Sequence, residues 1–472
     1  MRRLTLAIVL LATTTLVAQT PSRQPDWAKV DEETMRHFQA VVRLDSTDPP
    51  GNEKPVVDYV KQVLEAEGLQ VQVLAMPDRA NRPNLVTRIK GSGKQRPLLI
   101  MGHTDTVNVD AKKWSFPPFS ATRDGGYVYG RGTVDDKDNL VASLMTMVML
   151  KRLNVALDRD VIFLAEAGEE GASTLGVQFV ANEHFPLIDA EYCFAEGGNV
   201  TRTGGTVKFA SIQTVEKIPR AITVTARGIS GHGSVPLETN AVSHLSEAVG
   251  RVAAWTPPMR LNETTAAYFK RLATVSSPEE AARYRDLLSP DPKVSGAADA
   301  YLRKNEPRHW SMLRTSLSPT IIQGGYRTNV IPSEATATID TRLAPDEDPA
   351  KFLELVKQVV NDPSVEVTYG ARDSRPLTPT AKIDSDVFKT LEAMVTKHYK
   401  AITLPTMSTG ATDMAFLRRK GIQCYGIGPA LDSEDGPKGF GAHSDQERIL
   451  ESELLRFVRF NWDAVVEVAR AK

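Results

Sequence analysis

Five side chains of the types that bind zinc lie in short motifs scattered along this sequence. They are His103 in G-H-T-D-T-V, Asp135 in G-R-G-T-V-D-D-K, Glu170 in A-G-E-E-G, Glu196 in A-E-G-G and His443 in G-A-H-S-D. Imidazole and carboxylate ligands together suit a borderline divalent cation, and an aspartate can bridge two ions because each of its oxygens can bind one. The set therefore predicts a centre for two metal ions, with a coordination position left for water.

Two further acids predict the other roles that a hydrolase needs. Asp105 lies two residues after His103, where its carboxylate could accept a hydrogen bond from the second ring nitrogen and fix the tautomer. Glu169 directly precedes Glu170, so one acid of this turn can bind metal while its neighbour handles protons. Two close cations lower the pKa of a shared water toward about 7. A carboxylate base can take the proton of that water and return it to a leaving amine, which is the chemistry of amide hydrolysis.

Each motif taken alone also has an ordinary structural explanation. H-T-D could contain a hydrogen-bonded histidine at the end of a strand. G-R-G-T-V-D-D-K could be a turn before the helix that starts near Lys137, with Asp135 or Asp136 as its N-cap. A-G-E-E-G could be a solvated loop with acids at a helix start. The order of the motifs along the chain, and their place relative to the predicted strands, favours a shared site.

The elements around these motifs predict a sheet that would bring them together. Strand-like apolar runs alternate with helical patterns between residues 55 and 195. This alternation is typical of an α/β fold with a mixed, largely parallel sheet between layers of helices. Such sheets bind ligands at the carboxyl ends of their strands. His103, Glu170 and Glu196 each follow a predicted strand, so we expect them to converge in one functional site.

The chain of 472 residues is long enough for two domains. After residue 216 the pattern changes to alternating apolar and threonine residues with further helices, which predicts an inserted α+β unit over 217–370. We interpret this unit as a lid or dimerisation domain between two parts of a catalytic domain, 24–216 and 371–472. The segment 256–318 is rich in helical patterns and is interpreted as an elaboration of the insert.

The first residues have the form of an export signal. A basic start at Arg2 and Arg3 precedes an apolar run from Leu4 to Val17, which is too short to span a bilayer, and small residues follow it. We therefore predict a signal peptide over 1–20. The mature protein is expected to be secreted or periplasmic, without a stable membrane anchor after removal of the signal.

The charge balance of the chain limits its possible partners. With 57 Lys and Arg against 58 Asp and Glu, the net charge is −1, and no block of like charge indicates a nucleic-acid partner. A small substrate fits this balance better.

The two cysteines, Cys193 and Cys424, lie in apolar strand-like stretches. We expect buried thiols there, although export would permit a disulfide.

Together the motifs resemble the zinc-dependent amidohydrolase and metallopeptidase family that contains carboxypeptidase G, aminoacylase, carnosine dipeptidases and succinyl-diaminopimelate desuccinylase. The likeness runs from about Glu33 to the C-terminus. Besides the five metal motifs, it includes G-I-S-G-H-G-S-V-P, R-T-N-V-I-P and S-T-G-A-T-D. The resemblance implies the phosphorylase/hydrolase-like fold of these zinc peptidases and two zinc ions, which cobalt(II) or manganese(II) could replace. It also implies a homodimer formed through the inserted lid domain.

The resemblance assigns a role to each ligand. By that match, His103 and Glu196 would complete one zinc site, and Glu170 and His443 the other. Asp135 would bridge the two ions, and the peptide bond that follows it would be cis. Of the two further acids, Asp105 would orient His103, and Glu169 would be the general base.

Three lid residues have roles implied by the same resemblance. His232, in G-H-G-S, would reach the reacting carbonyl from the partner subunit and stabilise the developing oxyanion. Alternatively, the motif G-H-G-S could form a capped turn between a strand and a helix. Asn329 and Arg342 are candidates for holding a substrate carboxylate or carbonyl, although Arg342 could instead pair with Asp340 or Asp346.

These features predict a metallo-carboxypeptidase or dipeptidase, or an N-acyl-amino-acid amidohydrolase, that acts on small substrates with a free carboxylate. The alternative is an aminoacylase or an aminopeptidase of related architecture. An aminopeptidase needs an acid to hold the substrate ammonium, whereas recognition of a carboxylate needs donors such as Asn329 and Arg342. A metal-stabilised binding protein without activity is disfavoured, because Glu169 and every predicted ligand are present.

Overall fold

The structure, a computed structural model, describes residues 24–370 and 375–471. The predicted signal peptide, residues 1–20, lies outside this range and stays a prediction. The helices, besides a 3-10 turn at Ala111–Lys113, are α1 (Trp27–Val42), α2 (Lys54–Ala66), α3 (Lys137–Leu153), α4 (Val177–Glu183), α5 (Phe185–Ile188), α6 (Ala241–Ala254), α7 (Glu263–Leu272), α8 (Pro278–Asp286), α9 (Pro292–Asn305), α10 (Pro307–Met312), α11 (Pro349–Val360), α12 (Asp386–Tyr399), α13 (Met414–Arg419) and α14 (Glu451–Ala469).

The strands form two main sheets and two small ones. They are β1 (Val71–Leu74), β2 (Asn84–Ile89), β3 (Leu98–His103), β4 (Thr122–Asp124), β5 (Tyr127–Tyr129), β6 (Val161–Glu166), β7 (Tyr192–Ala195), β8 (Asn199–Thr203), β9 (Thr206–Glu216), β10 (Ile218–Arg227), β11 (Gly231–His232), β12 (Ser316–Gly324), β13 (Val330–Ile331), β14 (Glu334–Leu343), β15 (Val365–Tyr369), β16 (Thr403–Ser408), β17 (Gln423–Gly426), β18 (Ala430–Asp432) and β19 (Arg448–Leu450).

The larger sheet has ten strands in the order β1-β2-β6-β3-β7-β17-β9-β8-β18, with β16 paired to β9. The central neighbours β6, β3, β7 and β17 are parallel, whereas β1, β2 and β6 pair antiparallel. The sheet is therefore mixed, and the predicted α/β fold class is confirmed. The parallel centre places the carboxyl ends of β6, β3 and β7 at one edge.

Helices cover both faces of this sheet. In β6, Phe163 belongs to a hydrophobic cluster with α1, α2, α3, α12 and α14. Its neighbours Ile162 and Leu164 point to the opposite face and pack with α4 and α13. Successive side chains of a strand alternate between faces, so a strand covered on both sides needs a continuous apolar run. This requirement explains the sequence D-V-I-F-L-A at this position.

The second main sheet is antiparallel, with four strands in the order β12-β14-β10-β15. Helices α6 and α11 pack on it through Leu245, Val252, Phe352 and Val356. The first of these strands begins at Ile218 and the last ends at Tyr369. The sheet therefore lies within the segment expected to form the lid. We call β10, β12, β14 and β15 with α6 and α11 the lid unit.

The helices between the lid strands, α7 to α10, pack differently from our expectation. We interpreted this segment as an elaboration of the lid. Its apolar side chains, among them Phe269 and Leu302, instead share a cluster with Val215, Leu404 and Met407 of β9 and β16. The segment therefore extends the hydrophobic core on the side of the larger sheet.

The cysteines lie opposite each other on two neighbouring parallel strands. Cys193 of β7 is in register with Cys424 of β17, and both are buried and free. The expected buried thiols are thus present. Among the described helices, none combines the length and the apolar character needed to cross a bilayer.

Candidate metal centre

Three of the five predicted ligands come from the ends of neighbouring parallel strands. His103 is the last residue of β3, the A-G-E-E-G turn follows Glu166 at the end of β6, and Glu196 follows β7. Because β6 and β7 flank β3 in parallel, these positions meet at one edge of the sheet. Gly168 permits the turn, since its φ is +75° and a Cβ atom there would lie 2.7 Å from the carbonyl oxygen of Ala172.

The structure brings all five predicted ligands together as two triads that share Asp135. Possible ligand atoms of His103, Asp135 and Glu196 lie within 4.8 Å of one another, as do those of Asp135, Glu170 and His443. The Nε2 atom of His103 is 3.1 Å from one oxygen of Asp135, and Nε2 of His443 is 3.1 Å from the other. His443 is also 3.1 Å from Glu170, and its side chain is 55% exposed. The second triad therefore faces solvent.

The electrostatics of the two triads favour positive charge. Burial raises the pKa of Glu196 well above its usual value, and the charges of Glu169 and Asp135 add to the shift. Hydrogen bonds to Asp135 and Glu170 raise the pKa of His443 to about 10. A pocket with these shifts gains stability when cations neutralise its carboxylates. With imidazole and carboxylate donors in each triad, the residues fit two divalent metal ions.

Asp105 supports the first histidine and the acidic turn at the same time. Its carboxylate accepts hydrogen bonds from the backbone N–H groups of Glu169 and Glu170, at 3.2 and 3.0 Å. The Nδ1 atom of His103 is 3.0 Å from the main-chain oxygen of Asp105 and 3.6 Å from its carboxylate. The nearer partner of the ring is thus the main chain, where the sequence suggested the carboxylate. Burial disfavours ionisation of Asp105, but bonds from His103 and the backbone outweigh it and lower its pKa.

Asp136 does not cap the helix that follows it. It precedes α3, yet its side chain makes no capping hydrogen bond. The carboxylate instead accepts hydrogen bonds from the backbone N–H of His103 at 3.2 Å and from Nδ2 of Asn139 at 2.7 Å. The peptide bond between Asp135 and Asp136 is cis. The loop is therefore tied to the strand end that carries the first ligand.

A residue that sequence reasoning missed, Glu447, holds the loop that carries Asp135. It is fully buried and accepts hydrogen bonds from the backbone N–H groups of Gly132 and Val134, at 3.0 and 2.8 Å. Arg131 donates a third bond at 2.7 Å. The sequence contains one weak signal for this contact, because a glycine-rich loop offers several backbone donors that a nearby acid can accept.

A match over most of the chain identifies its family. Residues 99–465 match the model of peptidase family M20/M25/M40. This chain belongs to that family. It is therefore an enzyme of the M20 metallopeptidase and amidohydrolase type, as the motifs suggested.

Individual relatives of this M20 protein are distant. It is 28% identical over 346 residues to "Probable carboxypeptidase S-like 2" of Dictyostelium discoideum, a match that covers 70% of this chain and 64% of that protein. It is 27% identical over 387 residues to the N-fatty-acyl-amino acid synthase/hydrolase PM20D1 of Homo sapiens, covering 80% and 75%. A solved M20 family metallo-carboxypeptidase from Sulfolobus solfataricus has the same fold, with a TM-score of 0.69 at 20% identity over 92% of this chain and 98% of that one.

The predicted base of this M20 enzyme lies beside the triads without belonging to either. Glu169 is adjacent to Glu170 in the turn, and its side chain is 10% exposed. Its Oε1 atom lies 3.3 Å from Nη2 of Arg375. Burial raises the pKa of Glu169 well above its usual value, and the charge of Asp413 adds to this. The sequence offered no signal for Arg375, which follows the lid strands and lies in none of the motifs.

The three predicted lid residues lie apart from the triads. His232 is exposed, and its Nδ1 is 2.8 Å from the hydroxyl of Ser234. Asn329 is exposed as well. Arg342 is half-buried on β14 and donates from Nε to Asp340 at 2.9 Å. Within the described parts of the chain, no hydrogen bond or ion pair joins these three side chains to the five ligands.

We expect each chain of the purified protein to bind two divalent cations, and Asp135→Ala to lose both, because both triads use this carboxylate. Metal content measured by mass spectrometry after dialysis checks this. His244→Ala is a matched control, since His244 also pairs with a carboxylate, Asp362 at 2.6 Å, but lies in the lid unit. Retention of two ions by Asp135→Ala would contradict the shared-ligand geometry.

Proposed function

We propose that this protein is a carboxypeptidase- or dipeptidase-type hydrolase that holds two zinc ions and cleaves the amide bond of a small peptide or an N-acyl amino acid. The observation that carries the proposal is an acid, Glu169, whose side chain is only 10% exposed and which adjoins two candidate ligand triads that share Asp135. The names of two relatives, a carboxypeptidase S-like protein and an N-fatty-acyl-amino acid synthase/hydrolase, support the same substrate classes.

The residues of the chain divide the work of hydrolysis among themselves. Two bound divalent cations would lower the pKa of a water and polarise the scissile carbonyl. Glu169 takes a proton from the attacking water and later gives it to the leaving amine. Asp105 keeps this base and the ligand Glu170 in place through their backbone N–H groups. Because Glu169 is outside both triads, its carboxylate is free to exchange the proton.

The Glu169→Gln variant tests the base directly. The amide cannot take up the proton, so we expect kcat to fall by about 10²–10⁴-fold, the contribution usual for a general base. Metal content should stay at the wild-type level, because Glu169 belongs to neither triad. Glu183→Gln, an exposed glutamate at the end of α4, is the matched control. Wild-type turnover in Glu169→Gln would remove this residue from the base role.

We place the substrate carboxylate at Arg342, with Asn329 as a second donor. The hydrogen bonds of Arg342 to Asp340 use Nε, which leaves the terminal nitrogens of the guanidinium for a bidentate carboxylate. Arg342 lies on β14, in the middle of the lid unit. A carboxylate held there would present the adjoining amide to the triads from the lid side. This placement favours a carboxypeptidase-type substrate over an aminopeptidase-type one.

A panel of dipeptides and N-acyl amino acids, each tested as free acid and as amide, measures this recognition. We expect kcat/KM to be about 10- to 100-fold lower for the amides, since a charge-assisted hydrogen bond contributes about 1.5–3 kcal/mol. Arg342→Ala should lower kcat/KM for the free acids only. Arg227→Ala removes an exposed lid arginine paired with Glu334 and Glu366 and serves as control. Equal cleavage of acids and amides by the wild type would refute carboxylate recognition.

We propose further that the lid unit forms a homodimer and that His232 acts on the substrate of the partner subunit. The edge strand β12 leaves Ile321 and Ile322 52% and 62% exposed. An exposed apolar edge strand is a ready pairing surface that proteins normally cover. His232 is exposed and contacts Ser234 rather than any ligand of its own chain. Action across a dimer would give this histidine access to a reacting carbonyl, where it would stabilise the oxyanion.

Mixing two inactive variants tests action across the dimer. His232→Ala and Glu169→Gln should each be poorly active alone. In a hybrid dimer, one site would combine an intact Glu169 with an intact His232 from the other chain. Random exchange of equal amounts should then restore up to about a quarter of the wild-type sites in a two-fold symmetric dimer. If the mixture, after exchange shown by native mass spectrometry, is no more active than its components, His232 does not act from the partner.

A further inference from the structure

A buried group of charged side chains lies next to the proposed base. Glu166 at the end of β6, Glu169 in the following turn and Asp413 before α13 contribute three carboxylates, and Arg375 contributes the guanidinium that contacts two of them. Glu166 and Asp413 are 2% and 1% exposed. Both oxygens of Asp413 lack a hydrogen bond within the described residues, so its ion pair with Arg375 is its principal compensation.

Arg375 is held by contacts on both of its terminal nitrogens. Nη2 donates to Oε1 of Glu169 at 3.3 Å and to the hydroxyl of Ser173 at 3.1 Å. Nη1 donates to the main-chain oxygen of Thr412 at 2.5 Å and lies 3.3 Å from Asp413. A guanidinium is planar and rigid, so these contacts fix its position and, through it, that of the Glu169 carboxylate.

The main chain of Arg375 is anchored as well. Its carbonyl oxygen accepts a hydrogen bond from Nη2 of Arg220 at 2.6 Å, a residue of β10. The ring of Phe416 on α13 lies 5.7 Å from its guanidinium carbon, within the range of a cation–π contact. Arg375 is thus a fixed support, with little freedom to follow a rotating glutamate.

We propose that Arg375 is a positioning residue that orients the carboxylate of Glu169 for proton transfer. The hydrogen bond engages Oε1 and leaves Oε2 as the oxygen for the reacting water. Without it, Glu169 would lose the contact that separates it from the charge of Asp413 and would rotate away. This inference rests on the proposed function of Glu169 as base. An error of about 1 Å in the position of a catalytic group can cost about 100-fold in rate.

A direct contact of Arg375 with the substrate carboxylate is the competing explanation. The structure favours positioning, because both terminal nitrogens already donate to oxygens of the protein, one of them in the Glu169 carboxylate. Arg375 also forms an ion pair with Asp413. A substrate carboxylate would have to displace Glu169 or Asp413 and leave it buried without its cation. Burial of an unpaired charge is costly, so this exchange is unfavourable.

The first arm of the test separates kcat from KM in Arg375→Ala and Arg375→Lys. We expect Arg375→Ala to lower kcat about 10- to 100-fold, with KM changed less than about two-fold and with wild-type metal content. Arg375→Lys, which keeps the charge, should recover part of the loss. The control is Arg159→Ala: this buried arginine pairs with Glu191 near the opposite end of β6. Its kcat should match the wild type even if its thermal midpoint falls.

The second arm repeats Arg375→Ala in a Glu169→Gln background, in single-turnover assays with enzyme in excess. If Arg375 acts through Glu169, the double variant should be no slower than Glu169→Gln alone. The proposal would be overturned if Arg375→Ala reduced the rate in the Glu169→Gln background by the same factor as in the wild type. It would also be overturned if Arg375→Ala alone raised KM and left kcat unchanged, because that result indicates contact with the substrate. Wild-type turnover by Glu169→Gln itself would instead refute Glu169 as base, an outcome that is visible before Arg375 is changed.

Discussion

Three partly buried carboxylates that meet at one edge of the larger sheet impose the main electrostatic constraint on this structure. Asp135, Glu170 and Glu196 face one another in two triads, and burying ionised carboxylates is costly unless they are paired or bind cations. The chain supplies part of the compensation through His103, next to Asp135, and His443, next to Asp135 and Glu170. The proposed divalent cations would supply the rest, and metal binding would then be coupled to the stability of this region.

The surrounding structure meets this constraint by keeping the ligands on well-supported elements. β3 and β6 are buried on both faces, and their tight packing limits how far the ligands can move apart. The loop of Asp135 lies outside these strands. Glu447 holds it through Gly132 and Val134, and in doing so ties the C-terminal part of the chain to the centre. Arg375 supports the proposed base, Glu169, through a hydrogen bond in a similar way.

Much of the fold could be predicted from the sequence, and so could the five side chains that converge at the site. The reasons are physical. A strand buried on both faces needs a continuous apolar run, so β6 and β7 are visible in the sequence among the apolar runs between residues 55 and 195. Metal ligands must be of a few residue types, which makes His103 and Glu196 visible in their motifs. Membership of the M20 family then follows from the order of the motifs and is confirmed by the match over residues 99–465.

The features that escaped prediction depend on contacts between distant parts of the chain. Glu447 contacts a loop more than 300 residues earlier, and Arg375 reaches the turn after β6 from beyond the lid strands. Nothing in their local sequences indicates those partners. The packing of α7 to α10 on β16 was missed for the same reason, since an amphipathic helix shows that it has an apolar face but not which surface covers that face.

The central claim is that one aspartate joins two metal ions. Diffraction from crystals grown with zinc, recorded on both sides of the zinc absorption edge, tests it most directly. We predict two anomalous peaks in each chain, one next to His103 and Glu196 and the other next to Glu170 and His443, with the carboxylate of Asp135 between them. A single peak, or two peaks of which Asp135 contacts neither, would contradict the account.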